Sequence, residues 1–203
     1  MSAIVYTIGH SNRELEDFLS LLLERKVTAV ADVRSQPYSR VNPQFNRESL
    51  AKSLARHEIA YVFLGEELGA RTSDPGCYVG GKVQYEILAR TKLFQSGLDR
   101  IERGALKYEL TLMCAEKEPL LCHRSILVAR HLIQRGLQIR HIIDGTLVED
   151  HDSSIERLLS MLRIDNAHMF KRDDLVALAY EWQGSKIAYA RDESPEANQR
   201  ESA

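Results

Sequence analysis

Apolar residues along this chain fall into short continuous runs separated by helical repeats. Ile4 to Ile8 is a β-branched run that predicts a buried strand, broken by Gly9-His10-Ser11-Asn12. Ser11 or Asn12 can cap the helix that follows, in which Leu15, Phe18, Leu19, Leu22 and Leu23 share one face. Thr28 to Val33 predicts a second strand, Leu50 to His57 a short helix and Ile59 to Leu64 a third strand. Val83 to Arg103 reads as a helix broken near Gly97. Leu110 to Cys114 predicts the fourth strand, followed by a polar turn and a helix carrying Ile126, Leu127, Ala129 and Leu132. Gly136 suits a helix C-cap before a fifth strand, Gln138 to Ile143. Ser153-Ser154-Ile155-Glu156 opens a helix through Leu162, Asp173 to Trp182 reads as another, and Lys186 to Tyr189 as a short late strand.

Strands that alternate with helices predict an α/β fold. We expect a single three-layer domain over residues 1–190, with a mostly parallel sheet flanked by helices, and a disordered tail over residues 191–203. Two loops are long for plain connections. One, Ser35 to Phe45, holds Pro37, Tyr38, Arg40 and Pro43; the other, Gly65 to Gly81, holds Arg71 and Tyr78.

Composition narrows the function classes. The 203 residues are 44% apolar and 28% charged with net charge -2, so any nucleic-acid contact needs a local basic cleft rather than an overall basic surface. No apolar run is long enough to span a membrane, so no membrane partner is expected. The start, MSAIVYTIGH, has neither the basic nor the apolar part of a signal peptide, and the three Cys do not make a disulfide framework. Both features predict a cytoplasmic location and reduced thiols.

Parallel strands deliver their carboxyl ends to one edge, where α/β proteins bind ligands. That edge collects His10, Ser11 and Asn12 from the first strand, Asp32, Arg34 and Ser35 from the second, and Cys114 and Glu116 from the fourth. Cys122, His123 and Arg124 arrive at the next helix start. Arg34, Arg40, Arg71 and Arg124 are candidates to hold an anion such as phosphate. Asp32 or Glu116 is a candidate to activate water or to stabilise a departing sugar cation. His10 or His123 can move a proton. Tyr38, Phe45 and Tyr78 can stack on a base. A Cys122 nucleophile partnered by His123 is an alternative, although the spacing is not the Cys-x5-Arg loop of thiol phosphatases. A non-catalytic binder of an anionic ligand, resting on Arg34 and Arg124, is another. Cys114, Cys122 and His123 offer three metal ligands, but the Cys-x7-Cys gap is wide and no second pair follows, so no metal and no cofactor is expected. The chain has neither a dinucleotide fingerprint nor a Walker loop.

Taken in order, several motifs resemble a known family: Tyr6-Thr7-Ile8-Gly9-His10-Ser11-Asn12, Asp32-Val33-Arg34-Ser35-x-Pro37-x-Ser39, Leu64-Gly65-x-x-Leu68-Gly69, Leu112-Met113-Cys114-Ala115-Glu116 with Cys122-His123-Arg124, and Gln183-Gly184-x-Lys186-Ile187-Ala188-Tyr189. The chain resembles the domain-of-unknown-function 488 family of small prokaryotic proteins. The resemblance implies a compact α/β fold and a link to nucleic-acid or nucleobase processing. It marks His10, Ser11, Asp32, Arg34, Ser35, Glu116, Cys122, His123 and Arg124. The expected function is a hydrolase acting on nucleic acid or nucleotide, cleaving the N-glycosidic bond of a modified or damaged base, as in DNA repair. Asp32, Glu116, His10, His123 and Cys122 are the catalytic candidates; Ser11, Asn12, Arg34, Ser35, Tyr38, Arg40, Arg71 and Arg124 the substrate-binding ones. The oligomeric state is open.

Overall fold

The computed structural model describes residues 3–164 and 170–191. In chain order the elements are β1 (Ile4–Gly9), α1 (Leu15–Glu24), β2 (Ala29–Asp32), α2 (Arg47–Ala55), β3 (Ala60–Phe63) and α3 (Gly65–Leu68). A small hairpin of β4 (Tyr78–Val79) and β5 (Lys82–Val83) precedes α4 (Tyr85–Ala89) and α5 (Lys92–Ala105). Then come β6 (Leu110–Cys114), a π-helical turn (Arg124–Ala129) running into α6 (Arg130–Gln134), β7 (Gln138–Ile142), β8 (Val148–Asp150), α7 (His151–Met161) and α8 (Arg172–Ile187).

The main sheet has the order β3-β2-β6-β1-β7-β8. Its strands are parallel except β8, which runs antiparallel to β7. The expected three-layer α/β domain is therefore what the chain forms. Connections that step one way across the sheet, β1 to β2 to β3, carry α1 and α2 on one face. Connections that step back, β3 to β6 to β7, carry α5 and α6 on the other, as a single crossover hand demands. The strand alternation sorts the core accordingly. Val5, Ala29, Ala31, Leu110, Leu112 and Cys114 pack with α5 and α6. Ile8, Val30 and Met113 pack with Phe18, Leu22, Phe45, Leu50 and Leu54. Every residue of β2 and β6 is buried, which is why both read as unbroken apolar runs.

Four expectations change. The helix expected over residues 83–103 is two helices, and the break lies at Arg90 and Thr91, where the Thr91 hydroxyl accepts the Phe94 N–H at 3.2 Å. Gly97 does not break α5; it lets the helix lie flat on α3, since a Cβ there would stand 2.7 Å from Glu67 Cβ and Leu68 Cγ. The late strand expected over Lys186 to Tyr189 is instead the end of α8, which runs to Ile187. Pairing begins only beyond it, where Val83 N–H donates to Tyr189 O (2.9 Å), Arg191 N–H donates to Gly81 O (2.8 Å) and Lys82 bridges Ala190. Strand β8 was not anticipated. It is set by the turn before it, in which Asp144 Oδ1 accepts the N–H groups of Thr146 and Leu147, each at 2.9 Å. The tail expected from residue 191 lies, past Arg191, outside the described residues.

One close approach ties the sheet to the loop after β6. A Cβ on Gly9 would stand 1.8 Å from Glu116 O and 2.6 Å from its carbonyl carbon. Only glycine lets the end of β1 meet that turn, and the contact is backbone, so nothing can rotate away. Gly9→Ala is expected to cost at least about 3 kcal/mol of stability in urea denaturation, because overpacking against backbone forces the two segments apart. An alanine variant as stable as the parent would show that the approach is not tight.

Candidate active site

The carboxyl ends of β1, β2 and β6 open into a cavity of about 430 Å³, within the range of small-molecule sites. His10, Arg34, Ser35, Tyr38, Arg71, Glu116, Cys122 and His123 all line it, as does Cys114. Of the residues expected at the site, Ser11, Asn12, Asp32, Arg40, Phe45, Tyr78 and Arg124 do not.

The floor is a cluster of thiols, imidazole and carboxyl. Cys114 ends β6, and its thiol donates to Glu116 Oε2 at 3.3 Å. The Cys122 thiol donates to the same oxygen, also at 3.3 Å. His123 Nδ1 lies 3.7 Å from Cys114 Sγ and 3.9 Å from Cys122 Sγ, while its Nε2 lies 2.9 Å from Val33 O. A carbonyl can only accept, so the ring proton sits on Nε2 and the Nδ1 lone pair faces the sulfurs. Both cysteines and His123 are buried. Burial raises the Cys122 thiol, but the Cys114 thiol, the Arg124 guanidinium and His123 outweigh it and hold the group well below its usual range. The Cys114 thiol moves the other way, raised by its bond to Cys122 and by burial. For His123, burial is outweighed by Cys122 and the Val33 carbonyl, and the net direction is up. Glu116 is raised by desolvation and by the charge on Cys122.

His10 stacks on Phe45 at 4.3 Å. Its Nδ1 lies 2.7 Å from Ser11 O and its Nε2 lies 3.1 Å from Arg34 Nη1. Arginine only donates, so Nε2 accepts and Nδ1–H donates to the carbonyl. Burial lowers the group to about 4, so His10 is neutral near pH 7 with both nitrogens engaged. It holds its own loop.

Several of the expected site residues are committed to protein partners or stand off the cavity wall. Asp32 is fully buried beneath the cavity, with its oxygens saturated: Oδ1 accepts Arg34 N–H (3.1 Å) and Nε–H (2.9 Å), and Oδ2 accepts Arg34 Nη2 (2.6 Å) and the Tyr61 hydroxyl (2.7 Å). Arg34 also donates from Nη2 to Phe45 O and from Nη1 to His10 Nε2, so at most one Nη1–H is left for a ligand. Arg124 is 0% exposed and donates to Glu116 O (2.6 Å), Lys117 O (2.9 Å) and Thr7 Oγ1 (3.4 Å). The binder reading that rested on Arg34 and Arg124 therefore loses its free forks. Arg40 is exposed and does not line the cavity, and Ser11 and Asn12 follow β1, with Ser11 Oγ donating to Asn12 Oδ1 at 3.2 Å.

The rim carries the candidate Arg71 together with residues that sequence reading missed. Arg71 donates to Gln36 Oε1 at 3.2 Å and lies 4.6 Å over the Tyr189 ring. Gln36, Ser39, Asn42, Tyr85, Leu121, Ile187 and Tyr189 complete the wall. Tyr85, at the start of α4, gave no local motif to find; Tyr189 ends the Gln183 to Tyr189 motif, but only the return of the chain after α8 brings it to the cavity.

Fold and site together define a parallel α/β protein with a thiol–imidazole–carboxyl cluster at the carboxyl edge of its sheet. The chain belongs to the family described as domain of unknown function DUF488, whose model matches residues 14–131. That span holds Asp32, Arg34, Glu116, Cys122, His123 and Arg124 but leaves β1 and His10 outside. No curated protein and no solved structure matches the chain.

The Asp32–Arg34 pair predicts a structural phenotype. Asp32→Ala leaves a buried guanidinium without its counter-charge and is expected to cost about 3–5 kcal/mol. Arg71→Ala on the exposed rim is expected to leave stability unchanged. Chemical denaturation of both variants checks this, and equal midpoints would contradict it.

Proposed function

We propose that this protein is a hydrolase acting on a nucleotide or on a base of nucleic acid, and that the bond cleaved is N-glycosidic. The observation that carries the reading is Glu116. Among the described residues it is the one carboxyl group lining the cavity, whose wall also carries Tyr38, Tyr85, Tyr189 and Arg71. The rings suit a flat base and the guanidinium suits phosphate. In this reading Glu116 takes the role first divided between it and Asp32: it removes a proton from the attacking water. Asp32 keeps Arg34 and the second loop in place. A base inside a duplex would have to be turned out to reach the floor, and in this reading the exposed Tyr38 ring at the cavity fills the vacated stack. We place the activity in the cytoplasm; among the described residues no helix is long and apolar enough to cross a membrane.

A second reading has its own observation. Cys122 Sγ, His123 Nδ1 and Val33 O form a line of nucleophile, base and orienting acceptor, at 3.9 Å and 2.9 Å. There Cys122 attacks the substrate directly and Glu116 is dispensable.

The test is incubation of the full chain with DNA carrying modified or damaged bases, and with free nucleotides, followed by assay for released base and abasic sites. Release is expected, and Glu116→Gln should lower it by about 100-fold or more. Folded protein that frees no base across a broad panel would remove the hydrolase reading. Release that survives Glu116→Gln but not Cys122→Ser would hand the chemistry to the thiol.

A further inference from the structure

Free buried cysteines are ordinarily small apolar fillers. Cys77, within the α5–α6 side of the core, is one. Cys114 and Cys122 are not, because both point at one carboxyl oxygen and one imidazole nitrogen. The Cys114 Sγ, Cys122 Sγ and His123 Nδ1 atoms all lie within 4.8 Å of one another. Glu116 Oε2 stands 3.3 Å from each sulfur, and His123 Nδ1 stands 3.7 and 3.9 Å from them. Metal–ligand bonds of 2.0–2.3 Å give a tetrahedron with edges of about 3.3–3.8 Å. The separations of 3.3, 3.3 and 3.7 Å are edges of that size, and the one of 3.9 Å is slightly longer.

We propose that Cys114, Cys122 and His123 bind a zinc ion, with Glu116 at the fourth vertex, on the side open to the cavity. The donor set selects the metal: thiolate and imidazole favour zinc over the hard cations magnesium and calcium. The orienting group is already in place, because the Nε2–H bond to Val33 O fixes the ring and presents Nδ1, as partners of zinc-bound histidines do. Proton balance is simple. Each thiol gives its proton to solvent as it coordinates, and His123 needs to lose none when neutral. Two thiolates and a carboxylate exceed the charge of the ion by one, and the buried Arg124 guanidinium lies within electrostatic reach of both sulfurs to offset it.

The Cys-x7-Cys spacing argued against this site in the sequence. The path explains the difference. The chain leaves β6 at Cys114, turns through Pro119–Leu121 and re-enters the core at Cys122, so the two sulfurs return to one point. The π-helical turn Arg124–Ala129 begins directly after His123, and such turns recur at functional sites. The site deepens the hydrolase reading and rests on it for its use: a water that displaced the Glu116 carboxylate from the fourth vertex would be acidified by the zinc, and the freed Glu116 would take its proton.

The experiment reads the metal without any substrate. Full-length protein is produced in zinc-supplemented medium, dialysed without chelator and analysed by plasma mass spectrometry. About one zinc per chain is expected, with Cys114→Ser, Cys122→Ser and His123→Ala each below about a tenth of that and Cys77→Ala unchanged. Cobalt replacement of the zinc in the parent chain should give strong thiolate-to-metal charge-transfer absorption, which keeps the test valid should a variant fail to fold. Folded parent protein that stays below a tenth of an equivalent after zinc reconstitution, or a folded Cys114→Ser chain with full stoichiometry, would overturn the proposal. A metal-free chain that still releases base would sink the zinc site alone, whereas a zinc-loaded chain that releases none would sink the hydrolase reading alone.

Discussion

The buried guanidinium of Arg124 is the constraint on which the site depends. A charge with no solvent exposure must find partners on every side. Arg124 finds the carbonyls of Glu116 and Lys117, and Thr7 Oγ1 from β1. The first two bonds decide the shape of the loop after β6, and hence where the Glu116 side chain leaves the backbone. The third ties that loop to the central strand. Gly9 closes the same contact from the other side, with its Cα set against the Glu116 carbonyl. The close approach at Gly9 and the position of the Glu116 carboxyl are therefore one feature.

Behind Arg124 the polar contacts continue. Thr7 Oγ1 meets His141 Nδ1 at 2.7 Å, His141 Nε2 meets His151 Nδ1 at 2.9 Å, and His151 Nε2 meets the Tyr180 hydroxyl at 2.6 Å. Burial drives both histidines down, His151 to about 4, so the row is neutral near pH 7. It joins β1, β7, α7 and α8 through satisfied groups and places no second charge near Arg124. Helices α7 and α8 are thus tied to the strand that anchors the loop after β6.

The parallel strands and the edge they share were legible because long buried strands and amphipathic helices carry a periodic signal. Strand β8 was not, since three residues are too few for a period and a side-chain turn at Asp144 sets it. Asp32 was misplaced although a signal existed. Alternation puts Asp32 with Val30 on the α1 and α2 face, while Cys114 falls with Leu112 on the α5 and α6 face. Two side chains at neighbouring strand ends can thus point to opposite sides, and closeness in the sheet did not make Asp32 a neighbour of Glu116. The arginines misled for a related reason. An Arg at a strand end reads the same whether its fork faces ligand or protein, and only partners such as Asp32 or the Glu116 carbonyl decide.

The cavity is assembled from distant parts of the chain, and its walls differ in strength. The floor hangs on β1, β2 and β6, the three central parallel strands with dense ladders on both sides. The wall that carries Tyr189 is held near its end by the Tyr189 and Arg191 bonds to Val83 and Gly81, together with the Arg71–Tyr189 stack. Local opening draws on the least-bonded segments first. A ligand that enters therefore meets a rigid floor of fixed donors and a side wall that can give. That division suits chemistry that demands ångström precision at Glu116, Cys122 and His123 while the rim adapts to the shape of what it holds.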